Sequence, residues 1–335
     1  MKEARFYNKQ DDLHVKCLLC PHECVLTEGK RGICKVRISL KCTLISENYG
    51  LLASIGFDPI EKKPLYHFFP GKEILSIGTV GCNLSCNFCQ NCEISQVGVH
   101  EARFLKEYPV NRLIDTAKNR ASNIGIAYTY NEPTVFYEYM LDVAKEIKKE
   151  GMYNVIVSNG YINPDPLDEL LNYIDACNID LKAFTEEFYK KETKSSLQPV
   201  LSTLKHIKRR KRHLEVTNLV IPNKNDDEKV FKEMIKWISM ELGKDTILHL
   251  SRYFPRYKAT EPPTSDKLLS KFYNMAKEYL DFVYVGNTYL EKGHDTSCPK
   301  CSSLLVARSG YSTKVLGVDK SGNCTNCGNK VFNYY

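Results

Sequence analysis

The chain has 335 residues, 43% hydrophobic and 26% charged, with a formal net charge of +7. At about 150 residues per domain this length suggests two domains, or one barrel with attachments, and the apolar share is enough for a sizeable core. The composition excludes a wholly disordered chain. No apolar run reaches the ~18 residues that a bilayer span needs, and a charge of this size permits an anionic partner without demanding one.

The first ten residues carry Lys2, Glu3, Arg5 and Lys9 with no apolar stretch behind them. This is not the pattern of a secretory signal, so the expected compartment is the cytosol. There disulfides are uncommon, and the 14 cysteines are read as metal or redox residues. They fall into groups. Near the N-terminus, Cys17, Cys20, Cys24 and Cys34 suit a structural tetrahedral zinc, with an auxiliary iron–sulfur cluster as the alternative; their spacing is not that of the usual ferredoxin runs. His22 reads as a loop residue. The rest of residues 1–72 holds β-like runs at 42–45 and 51–55, and is expected to form a Cys-rich β extension.

From residue 73 to 292, short β-branched runs alternate with amphipathic stretches. Strands are expected at 74–80, 124–128, 154–158, 177–182, 214–221, 246–250 and 282–285, with helices such as 134–149 and 228–242. The class is α/β with a parallel sheet of βα units, closed wholly or partly into a barrel, or else an open doubly wound sheet. In either architecture ligands gather beyond the strand ends. Four polar groups sit at such ends: Cys82, Cys86 and Cys89 after the first strand, Thr129 to Pro133 after the second, Asn159 and Gly160 after the third, and Asp180 to Lys182 at the fourth. That face is the expected active site.

Cys82, Cys86 and Cys89 are spaced C-x3-C-x2-C. Three thiolates this close on a loop relieved by Gly81 can share one cluster of four irons, leaving one iron without a protein ligand. An open position on a metal marks chemistry rather than structure. The alternative is a zinc site completed by Cys92. Cys177 lies in an apolar run and reads as a small buried hydrophobe. His249, at a strand end on the active face, is a candidate for contacting substrate, whereas Tyr130 and Cys92 read as packing beside the cluster loop.

Residues 293–335 form a separate unit in which Cys298, Cys301, Cys324 and Cys327 make a C-x2-C…C-x2-C pair. A zinc ribbon is expected, and a rubredoxin-like iron site is the alternative. The basic run from Lys205 to His213 invites a nucleic-acid reading. It precedes a strand, however, which places it on the face opposite the chemistry, as a solvated helix end.

The C-x3-C-x2-C loop, with Phe88 before its third cysteine, resembles the signature of the radical S-adenosylmethionine (radical SAM) superfamily, in the branch that includes pyruvate-formate-lyase activating enzymes. The segments 58–67, 81–91, 127–134, 178–182 and 249–255 are similar to AmmeMemoRadiSam-system radical SAM enzymes. The resemblance runs from about Cys17 to Thr288. It implies a (β/α)6-type partial, TIM-like barrel, a [4Fe–4S] cluster on Cys82, Cys86 and Cys89, and S-adenosylmethionine on the fourth iron. It further implies reductive cleavage to a 5′-deoxyadenosyl radical that abstracts a hydrogen atom from substrate. The family's Gly-Gly-Glu motif is matched here by Tyr130, Asn131 and Glu132, so the backbone contribution of two glycines is missing. Glu132 would accept from the methionine ammonium, Ser158 and Asn159 would reach the ribose or carboxylate, and Asp180 and Lys182 resemble an Asp-x-Lys pair whose lysine meets the methionine carboxylate. Asn131 has a helix N-cap as its plainer alternative.

The resemblance also implies an electron donor of flavodoxin or ferredoxin type, and partners among Memo-type and AMMECR-domain proteins, hence a macromolecular substrate or partner complex. Two rivals stand beside this reading: an RNA-modifying enzyme of the same chemistry, and a metal-ribbon binding protein whose barrel is silent.

Overall fold

The computed structural model describes residues 1–288 and 290–335. The central sheet has eight strands: β1 (Ser54–Pro59), β2 (Glu73–Gly78), β3 (Asn123–Tyr128), β4 (Tyr153–Ser158), β5 (Ala176–Asp180), β6 (His213–Val220), β7 (Ile247–Arg252) and β8 (Val283–Gly286). They lie side by side in chain order. β1 runs antiparallel to β2, and all other neighbours are parallel. The crossovers carry helices α1 (Val110–Lys118), α2 (Tyr137–Lys149), α3 (Pro164–Leu170), α4 (Leu197–Arg209), α5 (Glu228–Trp237) and α6 (Asp266–Lys277).

This order decides between the two architectures. A doubly wound sheet reverses its strand order part-way; this one never does. Each crossover adds one strand on the same side, as in a barrel, and the sheet ends at β1 and β8 without closing. The result is a partial barrel. Its helix-facing residues, such as Leu75, Ile126, Ile156, Ile179, Val216 and Leu248, join one large buried cluster. They alternate with inward-facing ones, as a half-covered strand requires.

The extension and the main sheet are not separated at residue 72, because β1 belongs to the central sheet. Before it come two small antiparallel sheets, one of Tyr7–Lys9, Val15–Cys17 and Val25–Leu26, the other of Lys2–Glu3, Arg37–Leu40 and Thr43–Ser46. The C-terminal unit is a three-stranded sheet of Thr296–Ser297, Leu304–Ser309 and Ser312–Val315.

The barrel interior is filled at its lower end by the loop after β1. Ile60, Leu65 and Phe68 pack on Ile74, Ala127, Val155 and Ala176. A buried carboxylate fixes this plug. Glu215 of β6 accepts from the backbone N–H of Tyr66 (3.0 Å) and His67 (2.8 Å), and from the rings of His213 (2.8 Å) and His249 (2.6 Å). The C-terminal unit locks on beneath it. Arg308 donates to the Tyr66 carbonyl (2.8 Å) and to Thr296 Oγ1 (2.8 Å), with its guanidinium 4.3 Å from the centre of the Tyr66 ring. Tyr284 Oη hydrogen-bonds both His67 Nε2 (2.6 Å) and Thr296 Oγ1 (2.7 Å).

His249 is thus placed in the interior wall, 5% exposed between Tyr66 and Tyr284 and bonded to Glu215. Its register partner Thr217 pairs in turn with Asp180 at the end of β5, and its Nε2 is engaged by Glu215.

The network is acid-sensitive. Burial alone would raise the Glu215 pKa, but hydrogen bonds from His213 and His249 and their charge hold it well below the ordinary carboxylate range. Burial lowers that of His67 to about 3. Both groups bind protons more readily when unfolded, so each contributes stability that is lost as pH falls. The loss begins near the unfolded His value of about 6.5 and deepens below the unfolded Glu value of about 4.3. Urea midpoints measured against pH should fall in these two stages. Glu215→Gln should remove the second stage and cost about 3 kcal/mol at neutral pH.

Candidate active site

The loop after β2 carries Cys82, Cys86 and Cys89 over the strand ends. A loop of this length cannot satisfy its own backbone, and four other segments do so. From the five-residue π-helical turn Tyr189–Thr193, the carbonyls of Thr193 and Glu192 accept from Ser85 N (3.0 Å) and Asn87 N (3.0 Å), and Glu192 Oε2 accepts from Asn87 Nδ2 (3.1 Å). Asn131 bridges the loop's base, donating to the Gly81 carbonyl (2.9 Å) and accepting from Thr79 N (3.0 Å). Lys258 N donates to the Asn87 carbonyl (3.0 Å). His22 of the N-terminal extension hydrogen-bonds the Asn83 carbonyl (2.7 Å). Phe88 is 5% exposed and packs near Phe188. Gly81 has φ +89°, and a Cβ there would stand 2.6 Å from the Cys34 carbonyl oxygen, so no side chain fits.

The three thiols are free of disulfides. Two N–H groups point at Cys82 Sγ, Leu84 N at 3.3 Å and Asn159 Nδ2 at 3.8 Å. Such donors set the potential of cluster-bound sulfur. Burial pushes all three thiols up, Cys86 to about 12, against an opposing pull from Lys182. Buried thiols beside N–H donors and a lysine fit a group that supplies positive charge. Among the described residues, only Cys298, Cys301, Cys324 and Cys327 gather their ligand atoms all within 4.8 Å of one another. Cys82, Cys86 and Cys89 are not drawn together to that degree. Cys92 opens the short helix Cys92–Ser95 behind the loop.

The other strand-end residues converge on this loop. Glu132 is 2% exposed, and protein donors occupy its carboxylate: Oε1 accepts from Thr134 N (3.0 Å), Thr134 Oγ1 (2.7 Å) and Ser158 Oγ (2.8 Å), and Oε2 from Asn159 N (2.8 Å). Three of these donors crowd Oε1, while Oε2 takes one and keeps an acceptor position. Glu132 and Ser158 thus tie two βα loops together. Asn159 reaches the cluster loop through Cys82 Sγ and Asn83 Oδ1 (2.9 Å). Lys182 Nζ donates to Asp180 Oδ2 (2.8 Å). Burial would lower the lysine pKa, yet the charges of Asp180 and Cys86 raise it overall, so it is cationic.

Tyr130 explains the missing glycines. Its φ is +72°, the left-handed region glycine enters freely and tyrosine does not. The strain is offset by the side chain: Oη donates to Asp58 (2.6 Å), which also pairs with buried Lys63 (2.6 Å), whose ammonium lies 4.6 Å from the centre of the tyrosine ring.

Residues that the sequence reading passed over include Asn83, which is buried and donates to the Tyr161 carbonyl (2.7 Å), and Glu192. For Asn83 a signal was present, a short polar side chain between two cluster-spaced cysteines. Glu192 gave none. The basic run ends α4 as expected, and acids meet it: Lys205 pairs with Glu241, Lys208 with Asp245, and Arg210 with Asp168. Among the described residues, no helix is long and apolar enough to cross a membrane.

Residues 76–238 match the radical SAM superfamily. The chain belongs to that superfamily. It is 42% identical over 99% of both chains to an uncharacterized protein of Methanocaldococcus jannaschii. It is 23% identical to the pyruvate formate-lyase-activating enzyme of Listeria monocytogenes, over 47% of this chain and 66% of that one. Of solved structures, Streptococcus suis SuiB superposes with a TM-score of 0.51 at 10% identity, over 63% of this chain and 48% of that one, a likeness of fold alone. Radical SAM membership makes the protein an iron–sulfur enzyme that uses S-adenosylmethionine.

Two outcomes test the site's construction. Glu132→Ala leaves Thr134 N, Asn159 N and two hydroxyls without their acceptor, and is expected to cost about 3 kcal/mol in urea unfolding; Glu132→Gln, which keeps one oxygen, should cost about half as much. A chelator that strips metal from Cys298, Cys301, Cys324 and Cys327 should make the C-terminal unit protease-sensitive while the barrel stays protected.

Proposed function

We propose that this radical SAM enzyme cleaves S-adenosylmethionine reductively at a [4Fe–4S] cluster on Cys82, Cys86 and Cys89 and abstracts a hydrogen atom from a macromolecular substrate. The observation that carries this is the loop after β2: Cys86 buried and Cys82 and Cys89 partly so, on a backbone pinned by other segments, beside the cationic Lys182. When bound, the cluster and S-adenosylmethionine supply one-electron cleavage of the sulfonium C–S bond and a 5′-deoxyadenosyl radical.

The chain's own part is to bind and orient. Lys182 spends one of its three N–H donors on Asp180 and keeps two for the methionine carboxylate. Asp180 holds that ammonium in place. Asn159 bridges Cys82 Sγ and Asn83 Oδ1, with its backbone fixed by Glu132. Glu132, Ser158 and Asn131 act as positioning residues. The plug around Tyr66 and Glu215 closes the barrel from below, so water and substrate meet the site only from the strand-end side.

The electron comes from a donor of flavodoxin or ferredoxin type. The likeness of several motifs to AmmeMemoRadiSam-system enzymes supports Memo-type and AMMECR-domain proteins as partners. Zinc is proposed for the four C-terminal thiols, which are gathered closely enough for one tetrahedral ion. An RNA substrate has less support, because the basic run is paired with acids on the wrong face.

Anaerobic reconstitution with iron and sulfide, then S-adenosylmethionine and a reductant, should yield 5′-deoxyadenosine. Cys86→Ala should abolish it, and undiminished product from that variant would overturn the proposal. Lys182→Ala should weaken S-adenosylmethionine binding about tenfold or more, the worth of a charge-assisted hydrogen bond, with the cluster's absorbance retained.

A further inference from the structure

We infer that Cys17, Cys20, Cys24 and Cys34 hold a second iron–sulfur cluster, not a single zinc ion, and that this cluster passes electrons to the catalytic loop. The relay rests on the catalytic reading above; the cluster itself does not.

The first observation is a contrast within one molecule. Four thiolates on one tetrahedral ion, each ~2.3 Å from it, lie only about 3.8 Å apart. The C-terminal four meet that demand, with Cys298 and Cys327 Sγ at 3.6 Å and Cys301 and Cys324 Sγ at 3.6 Å. The N-terminal four do not: among the described residues, no three of them lie within 4.8 Å of one another. They ring a small cavity of about 20 Å³ instead. That is room for a water-sized body, which a closed single-ion site would not leave. A cubane spreads its four thiolates, each on its own iron.

The second observation is a buried cation with an unused donor in the cavity wall. Arg37 is 1% exposed and lines the cavity. Its Nη2 donates to both oxygens of Glu138 (2.6 and 2.7 Å), but its Nε–H has no partner among the described residues. A buried N–H is seldom left unpaired, and a cluster sulfur is an acceptor of the right kind. Hydrogen bonds to sulfur, and burial, are among the features that set a cluster's potential.

The third is position. Cys82 stands between Gly81 and Asn83, and both touch the N-terminal site. Gly81 abuts the Cys34 carbonyl so closely that it excludes a Cβ. His22, between Cys20 and Cys24, hydrogen-bonds the Asn83 carbonyl, and Asn83 itself lines the cavity. The two sites share a wall. In the relay, a reduced one-electron donor of the ferredoxin class takes the N-terminal cluster from the 2+ to the 1+ state; reoxidation delivers that same electron to the catalytic cluster, and no bond is made or broken.

The test uses the full chain carrying Cys82→Ala, Cys86→Ala and Cys89→Ala together, reconstituted anaerobically. About four irons and four acid-labile sulfides should remain, as one cubane holds, with an electron-paramagnetic-resonance signal on dithionite reduction that is lost when Cys20→Ala is added. Zinc without sulfide in the triple variant would overturn the second cluster; metal at the C-terminal unit adds no sulfide and does not confuse the count. Should the variants fail to fold, wild type decides, at about eight sulfides for two cubanes against about four for one. For the relay, Cys20→Ala should slow reduction of the catalytic cluster by reduced ferredoxin at least tenfold, and an unchanged rate would overturn it. A triple variant that keeps its sulfide, beside a wild type that makes no 5′-deoxyadenosine, would remove the catalytic reading and leave the second cluster standing; the opposite pair of results would do the reverse.

Discussion

Cys82, Cys86 and Cys89 lie on a loop and, unlike the side chains of a helix, have no regular backbone to space them. The structure therefore depends on where the backbone hydrogen bonds of the loop from Gly81 to Asn91 go. They go outward, to the π-helical turn at Tyr189–Thr193, to Asn131, to Lys258 and to His22. Each of these belongs to a different βα unit or to the extension, so the loop is shaped only when the whole sheet is assembled. The carboxylate of Glu132 serves the same end one layer out, by tying the loops after β3 and β4 to each other. The family motifs are then as much a scaffold as a binding surface.

Much of this was legible in the sequence, for identifiable reasons. The seven parallel strands declare themselves because strands covered on both faces are continuous β-branched runs, and each was placed within a few residues. The close spacing of Cys82, Cys86 and Cys89 singled out the loop beyond β2, on which the other strand-end residues converge. The strand order was not legible. It depends on which face each crossover helix packs against, and that is a property of the assembled sheet. Nor did the sequence mark β1 as a member of the barrel, since an antiparallel edge strand reads like the extension before it.

The roles of polar residues were the least legible part. His249 and Glu132 both sit in motifs that point to ligands, yet both are engaged by protein partners. A motif fixes residue type and neighbourhood, whereas a hydrogen-bond partner is fixed by residues far away in the chain, such as Ser158 for Glu132 and Glu215 for His249. Tyr130 shows the converse. Where a glycine would do, the chain has a strained tyrosine, and the compensation comes from Asp58 and Lys63 in another segment.

The floor of the barrel brings together the two ends of synthesis. Phe68 and Tyr334 pack with ring centres 4.7 Å apart, and Phe69 N donates to the Tyr334 carbonyl (3.1 Å). On the ribosome, where domains tend to form from the N-terminus onward, the plug of residues 60–68 emerges before the strands that surround it, whereas the contact from Tyr334 can be added only after all seven parallel strands. Pairings of such sequence separation form late and slowly, so the C-terminal unit is added to a floor that the plug has already filled.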